Sequence, residues 1–191
     1  MKLYGTTTSP FVRKVRIVAA ELGEPVEWVD TAVEPGAAAL REVAPIRKVP
    51  VALVDGRTVF DSRAIIDWLI TTRGHGGLAP AIDRWRERNA LNAIDGLIDS
   101  LIQVLYLKRD GAPVETMPYA ARQRDRAGSI LAWLPGELSS QRFGIAELSA
   151  ICALDWIDFR QMYPTDGLPA LAAVRAAWRD RPSIVATLPH A

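Results

Sequence analysis

Few side chains in this 191-residue sequence stand where type and spacing could do chemistry, and most of them lie in its first third. Ser9 precedes Pro10 in the run Thr6-Thr7-Thr8-Ser9-Pro10, which reads as a loop entering a helix with serine as N-cap and proline at the first helical position. The two histidines, His75 in a glycine-rich stretch and His190 in the tail, are not placed by any motif as a base for that hydroxyl. Ser9 is therefore expected to donate a hydrogen bond and not to act as a nucleophile. Asp61-Ser62 stands just before and at the opening of another helix, where a plain cap is the simplest role. Lys48-Val49-Pro50 leads into an extended run. The single cysteine, Cys152, has no partner for an intramolecular disulfide and sits in the apolar run Ile151-Cys152-Ala153-Leu154. It is read as a buried packing thiol, the alternative being a reactive or intersubunit one. No metal site is expected.

The elements that must position these residues alternate short extended and helical runs. Lys2 to Tyr4 suits a strand, and Phe11, Val15, Val18, Ala19 and Leu22 recur at helical spacing until Gly23 stops them. Val26 to Val29 reads as a second strand and Pro35 to Glu42 as an alanine-rich helix. Val51 to Val54 and Thr58 to Phe60 flank Asp55-Gly56 in the pattern of a tight hairpin, and Ile65, Ile66, Trp68, Leu69 and Ile70 give the following helix its apolar side. The order is βαβα, then ββα.

Residues 74–82, with Gly74-His75-Gly76-Gly77, read as a linker between a domain over 1–73 and an all-helical one over 83–191. In the second, Leu91, Ile94, Leu97, Ile98, Leu101, Ile102 and Leu105 predict a long helix from Arg84 to about Lys108 that forms the spine of a bundle. Further helices are expected from Ala120 to about Leu134, Ala146 to Met162 and Leu168 to Arg179, and the tail from Arg181 as a packed helical turn. The formal charge of +1 gives no global reason to expect nucleic acid or an anionic membrane as partner. The first helix, with Arg13, Lys14 and Arg16, lacks the apolar core of a signal peptide, and no later run is expected to span a bilayer, which makes the cytoplasm the expected location.

The segments Thr8-Ser9-Pro10-Phe11-Val12-Arg13-Lys14-Val15-Arg16, Lys48-Val49-Pro50 and Asp61-Ser62-Arg63-Ala64-Ile65 occur in the order and spacing of cytosolic glutathione transferases with a serine active site. Asn92 to Asp99 and Arg181 to Thr187 resemble the same family. The resemblance implies an α/β thioredoxin-like N-terminal domain followed by an all-α helical-bundle C-terminal domain, and a bacterial, serine-type member. It implies that glutathione is the co-substrate and that its thiolate is conjugated to a small hydrophobic electrophile. Ser9 would be catalytic, favouring thiolate over thiol. Glutathione would be held by Ser9, Phe11, Lys48, Val49, Pro50, Asp61 and Ser62.

In that picture Pro50 follows a cis bond, which turns the Val49 backbone outward to pair with the cysteinyl backbone of glutathione. The start of the Ser62 helix would hold the γ-glutamyl carboxylate, with Asp61 pairing to its ammonium group. Relatives of this type often carry glutamate where this chain has Asp61. Lys48 would approach the glycyl carboxylate, a role open equally to Arg47, while Lys14 and Arg16 face solvent and Arg13 lies toward the site mouth.

The helical domain would supply the electrophile pocket from Ile102, Tyr106 and Trp156, with Trp178 and Tyr163 as further candidates, although periodicity marks such positions equally well as core. Asp95 and Asp99 either approach a partner subunit in a C2 homodimer or face water. Where relatives open the buried helix with a hydroxyl residue, this chain has Gly144, leaving Glu147 to cap alone or not at all. Two other readings stay open: a non-catalytic glutathione-binding or protein-interaction module of the same fold, and a weak glutathione-dependent disulfide or peroxide reductase. The absence of cysteine from the first domain counts against dithiol chemistry.

Overall fold

The computed structural model describes residues 1–190 and divides into two compact units. The first comprises Met1–Pro80 with the stretch from Asp180 onward, and the second Ala81–Arg179. The tail from Asp180 thus packs with the first unit, where the sequence reading had assigned it to the helical one.

In the first unit, strand β1 (Lys2–Gly5), helix α1 (Pro10–Glu21), β2 (Glu27–Asp30), α2 (Gly36–Val43), β3 (Val51–Val54), β4 (Arg57–Val59) and α3 (Ser62–Arg73) follow in the expected order. Strand boundaries fall within a residue or so of those read from the alternation. The four strands lie in the order β2-β1-β3-β4. β1 runs parallel to β2 with Gly5 opposite Asp30, and antiparallel to β3 with Tyr4 opposite Val51. β4 returns antiparallel to β3 with Val59 opposite Ala52. This is a thioredoxin-like sheet.

Alternation along β1 divides the sheet's packing, since successive side chains point to opposite faces. Tyr4 joins Val51, Leu40 and Ala44 in a core beneath α2. Leu3 and Gly5 share the other face, where α1 packs so closely that a Cβ on Gly5 would lie 2.6 Å from a Val12 methyl carbon. Gly36 is tighter still: a Cβ there would fall 1.8 Å from the Asp30 carbonyl oxygen, so only glycine lets α2 start against the end of β2.

The second unit is all-helical: α4 (Arg84–Arg109), α5 (Pro118–Trp133), a short 3₁₀ turn (Leu134–Gly136), α6 (Ile145–Arg160) and α7 (Pro169–Trp178). Asp83 caps α4, accepting from the backbone N–H groups of Trp85 and Arg86 at 2.9 and 3.1 Å. At 26 residues α4 is long and apolar enough to cross a bilayer, contrary to expectation. Its residues Ala90, Ile94, Leu97, Ile98, Leu101 and Val104 are nevertheless buried at helical spacing within the unit, the pattern of a bundle's spine.

α6 is enclosed from Ile145 through Leu154, with Cys152 wholly buried. Its start settles the Gly144 question. One Glu147 carboxylate oxygen accepts from the Gly144 N–H at 3.0 Å and the other from the Ser139 N–H at 3.2 Å, so Glu147 caps back without a hydroxyl partner and also ties down the preceding loop.

Candidate active site

Strand register brings three separate segments to one end of the first unit's sheet. Ser9 follows the end of β1, Val49-Pro50 precedes the start of β3, and Asp61-Ser62 follows the end of β4. Because Tyr4 pairs with Val51 and Val59 with Ala52, those three points are neighbours at the same end of the sheet, although Ser9 stands some forty to fifty residues of sequence before the other two.

Ser9 is the N-cap of α1. Its Oγ accepts from the Val12 N–H at 3.3 Å, and a turn closed by the Ser9 N–H on the Thr6 carbonyl, also 3.3 Å, shapes the loop before it. A hydroxyl that accepts one bond keeps its own proton to donate. The α1 N-terminus adds unsatisfied N–H groups and the positive end of the helix dipole. The Val49–Pro50 bond is cis, as the resemblance implied, with Pro50 buried and Val49 partly exposed. Asp61 is the N-cap of α3 and accepts from the Arg63 N–H at 2.8 Å through one carboxylate oxygen, while Ser62 at the first helical position is 2% exposed. The cap and a ligand role are compatible, because an ionised carboxylate has further acceptor sites.

Arg47 and Lys48 both stand exposed on the loop before β3, and Arg47 adopts a left-handed φ of 48°. Phe11, in the first turn of α1, is half-buried, with the Lys14 ammonium 5.0 Å from its ring centre in cation–π range. That lysine corrects the sequence reading: Lys14 is 1% exposed and faces no solvent. Arg16 is not a free surface charge either, since its guanidinium lies 5.3 Å from the Trp28 ring centre. Burial, and then the like charge of Arg13, draw it below the ordinary arginine pKa.

Arg13, 2% exposed, donates to the Thr187 hydroxyl at 3.3 Å and to the Ile184 carbonyl at 3.4 Å, and so binds the tail. The sequence reading expected the tail to pack as a helical turn but did not name α1 as the surface that receives it.

In the second unit, Ile102 is half-buried and Tyr106 half-exposed on α4, with the Arg109 guanidinium 4.9 Å from the Tyr106 ring centre. Trp156, on α6, is 3% exposed and belongs to the core. Phe143 packs on Trp178 with ring centres 5.1 Å apart. Asp95 is buried at 8% exposure, while Asp99 is exposed, so the two do not share one water-facing turn. Among the described residues no group of three or more His, Cys, Asp and Glu side chains is arranged to hold a metal.

A sheet whose one end gathers a capped helix start, a cis-proline edge and a second helix start, followed in sequence by an all-helical unit, is the architecture of a thioredoxin-like small-thiol-binding protein. Residues 3–76 match the family profile described as Glutathione S-transferase, N-terminal domain. A glutathione transferase family member of Pseudomonas fluorescens Pf-5, solved with bound glutathione, is 31% identical with a TM-score of 0.85, over 100% of this chain and 99% of that one. Its structure with S-(propanoic acid)-glutathione matches at 30% identity and a TM-score of 0.83 over the full length of both chains. The uncharacterized GST-like protein YibF of Escherichia coli K12 is 28% identical over 173 residues, covering 86% of this chain and 85% of its own. The chain belongs to the glutathione transferase family.

Proposed function

We propose that the protein is a glutathione transferase that binds glutathione at the sheet end described above and transfers its thiolate to a small hydrophobic electrophile. The observation that carries this reading is the convergence of Ser9, Val49-Pro50 and Asp61-Ser62 by strand register, in a chain that aligns over its whole length with relatives solved holding glutathione or a glutathione conjugate. Each segment suits one part of the ligand. The exposed edge before β3 offers the Val49 backbone to the cysteinyl unit. The α3 start offers N–H groups and the Ser62 hydroxyl to the γ-glutamyl carboxylate, and Asp61 pairs with its ammonium. Lys48, with Arg47 beside it, meets the glycyl carboxylate, and Phe11 lies against the peptide.

In this reading Ser9 donates to the sulfur, which makes the protein a serine-type bacterial member. The glutathione S–H bond breaks, its proton leaves, and the thiolate forms a bond to the electrophilic carbon as the leaving group departs. The electrophile is assigned to the helical unit, with Ile102 and Tyr106 as its candidate contacts, Trp156 lying in the core only as packing. Assembly as a C2 homodimer in the cytoplasm completes the proposal.

Calorimetry tests it. Wild-type protein should bind glutathione with a dissociation constant in the micromolar to millimolar range, and the D61A/S62A double variant should lose most of that binding while keeping a native circular dichroism spectrum. Absence of heat with wild type at millimolar glutathione refutes the reading.

A further inference from the structure

The stretch beyond Asp180 lies along α1 in the opposite direction, held by a ladder of polar contacts. At the C-terminal end of α1, Glu21 accepts two hydrogen bonds from Arg181, at 2.7 and 2.6 Å, and one from the Ser183 hydroxyl. Helix α8 (Pro182–Val185) follows, with Ile184 buried, and Arg16 donates to the Ala186 carbonyl at 3.4 Å. The tail is anchored next at Thr187, which is 4% exposed. Its hydroxyl donates to the Ser183 carbonyl at 2.8 Å and accepts from Arg13 at 3.3 Å, while a second Arg13 nitrogen reaches the Ile184 carbonyl at 3.4 Å. Beyond Thr187 the tail passes the start of α1, where the Thr7 hydroxyl donates to the main-chain carbonyl of His190 at 2.9 Å.

The tail therefore grips the chain on both sides of Ser9, at Thr7 two residues before it and at Arg13 four residues after it. Three residues separate Thr187 from His190, so the two grips stand at most about 11 Å apart along the tail. Between them lies the turn that sets the Ser9 hydroxyl, and its own atoms hold it weakly. The Ser9 N–H reaches the Thr6 carbonyl at 3.3 Å, the Thr6 and Thr8 hydroxyl oxygens are 3.5 Å apart, and the Ser9 Oγ accepts from the Val12 N–H at 3.3 Å. All three exceed the usual hydrogen-bond range, whereas the Thr7 bond to the tail falls within it. A hydroxyl that must donate to a sulfur loses its effect when displaced by as little as an ångström, so what fixes this turn bears on the chemistry.

We infer that Thr7 is a positioning residue for Ser9: through its bond to the His190 carbonyl, the docked tail clamps the turn before α1 and holds the Ser9 hydroxyl toward the glutathione sulfur. This rests on the glutathione transferase reading. The buried bonds at Arg13 keep the tail in place, and the Thr7 bond passes that placement to the turn. The tail acts through a main-chain oxygen, so the histidine ring has no part in it.

The test uses the full chain and three variants. T7V keeps the shape of threonine without its hydroxyl, T7S restores the hydroxyl, and a chain ending at Leu188 lacks the His190 carbonyl while keeping the Arg13 and Arg16 anchors. Thiolate absorbance of the glutathione complex against pH, kcat and KM for an aryl halide, and glutathione affinity are measured for each, and T7V is repeated in an S9A background. One neutral hydrogen bond bounds the effect at about tenfold. For T7V and the shortened chain alike, the expected result is unchanged glutathione affinity, a fall in kcat at pH 6.5 of about two- to tenfold, and a rise in the bound thiol pKa of about 0.3–1 unit. T7S should recover, the two changes combined should cost no more than either alone, and T7V should have no effect once Ser9 is alanine. T7V with the wild-type titration overturns the inference. So does a loss in T7V that the shortened chain does not share, since Thr7 would then act without the tail, and so does a loss that persists in the S9A background, since it would then act without Ser9. Each of these leaves the glutathione site standing, whereas a wild type that binds no glutathione in calorimetry removes both.

Discussion

Replacing Ser9 by alanine separates two roles that its single hydroxyl can fill together. As the α1 cap, the oxygen accepts from Val12 N–H at 3.3 Å. That is beyond the usual 2.7–3.2 Å for such bonds, so its loss belongs at the low end of the cap scale, about 0.5–1 kcal/mol. In a chain of this size, that lowers the melting temperature by only about 1–4 °C. Donation to a thiolate is charge-assisted and contributes about 1.5–3 kcal/mol. At 1.36 kcal/mol per unit, S9A should raise the pKa of the bound thiol by about 1–2 units from whatever value the wild-type site sets. At pH 6.5, turnover with an aryl halide or isothiocyanate should then fall roughly 10- to 100-fold, the gap closing as pH rises past the thiol pKa of the variant. Glutathione affinity should change little, because its carboxylates and backbone contact other segments. Threonine keeps both acceptor and donor, so S9T should restore most of the activity. The decisive assay is thiolate absorbance of the glutathione complex against pH for wild type, S9A and S9T, with thermal melts of each. Superimposable wild-type and S9A titrations would take Ser9 out of the chemistry and shift it to Thr7, Thr8 or the backbone N–H groups.

Two further outcomes concern the framework behind the site. Glu21→Gln should lower the stability of the first unit by roughly 2–4 kcal/mol at pH 7, because it leaves the Arg181 guanidinium without its carboxylate while Glu21 itself is only 9% exposed. The Arg181 hydrogen bonds, opposed by burial and aided by Ser183, hold the Glu21 carboxyl below its ordinary pKa. The folded value thus lies under the unfolded one, so the stabilisation is full above the unfolded pKa near 4.3 and is lost as pH falls through the depressed value. Wild-type and E21Q denaturation midpoints should accordingly converge in acid; a gap that persists unchanged to pH 2 contradicts the assignment. Gly36→Ala should destabilise by several kcal/mol or prevent folding, since its Cβ would meet the Asp30 carbonyl oxygen at 1.8 Å. A G36A protein with wild-type urea midpoint would show that α2 does not approach β2 so closely.

The sequence by itself determined the elements and singled out the segments proposed for the site. Short-range signals decide those: the Ser9-Pro10 and Asp61-Ser62 caps, the Asp55-Gly56 turn and the spacing of apolar residues in α4 are all read within a few residues of chain. Their joint order carried the family resemblance, which aligned relatives with bound glutathione support. Tertiary structure alone decided which segments meet. Strand register, a long-range property, brings Ser9, Val49-Pro50 and Asp61-Ser62 to one end of the sheet. Likewise the tail belongs to the first unit because Arg13, Arg16 and Glu21 hold it against α1, partners separated by some 160 to 174 residues. That packing explains the errors about α1. A lysine or arginine on a helix reads as solvent-facing from the sequence, since burying a charge is costly unless it is partnered. Lys14 is buried all the same, set against the Phe11 ring, and Arg16 lies against the Trp28 ring, while Arg13, expected toward the site mouth, is buried against tail oxygens; no local pattern announces these partners.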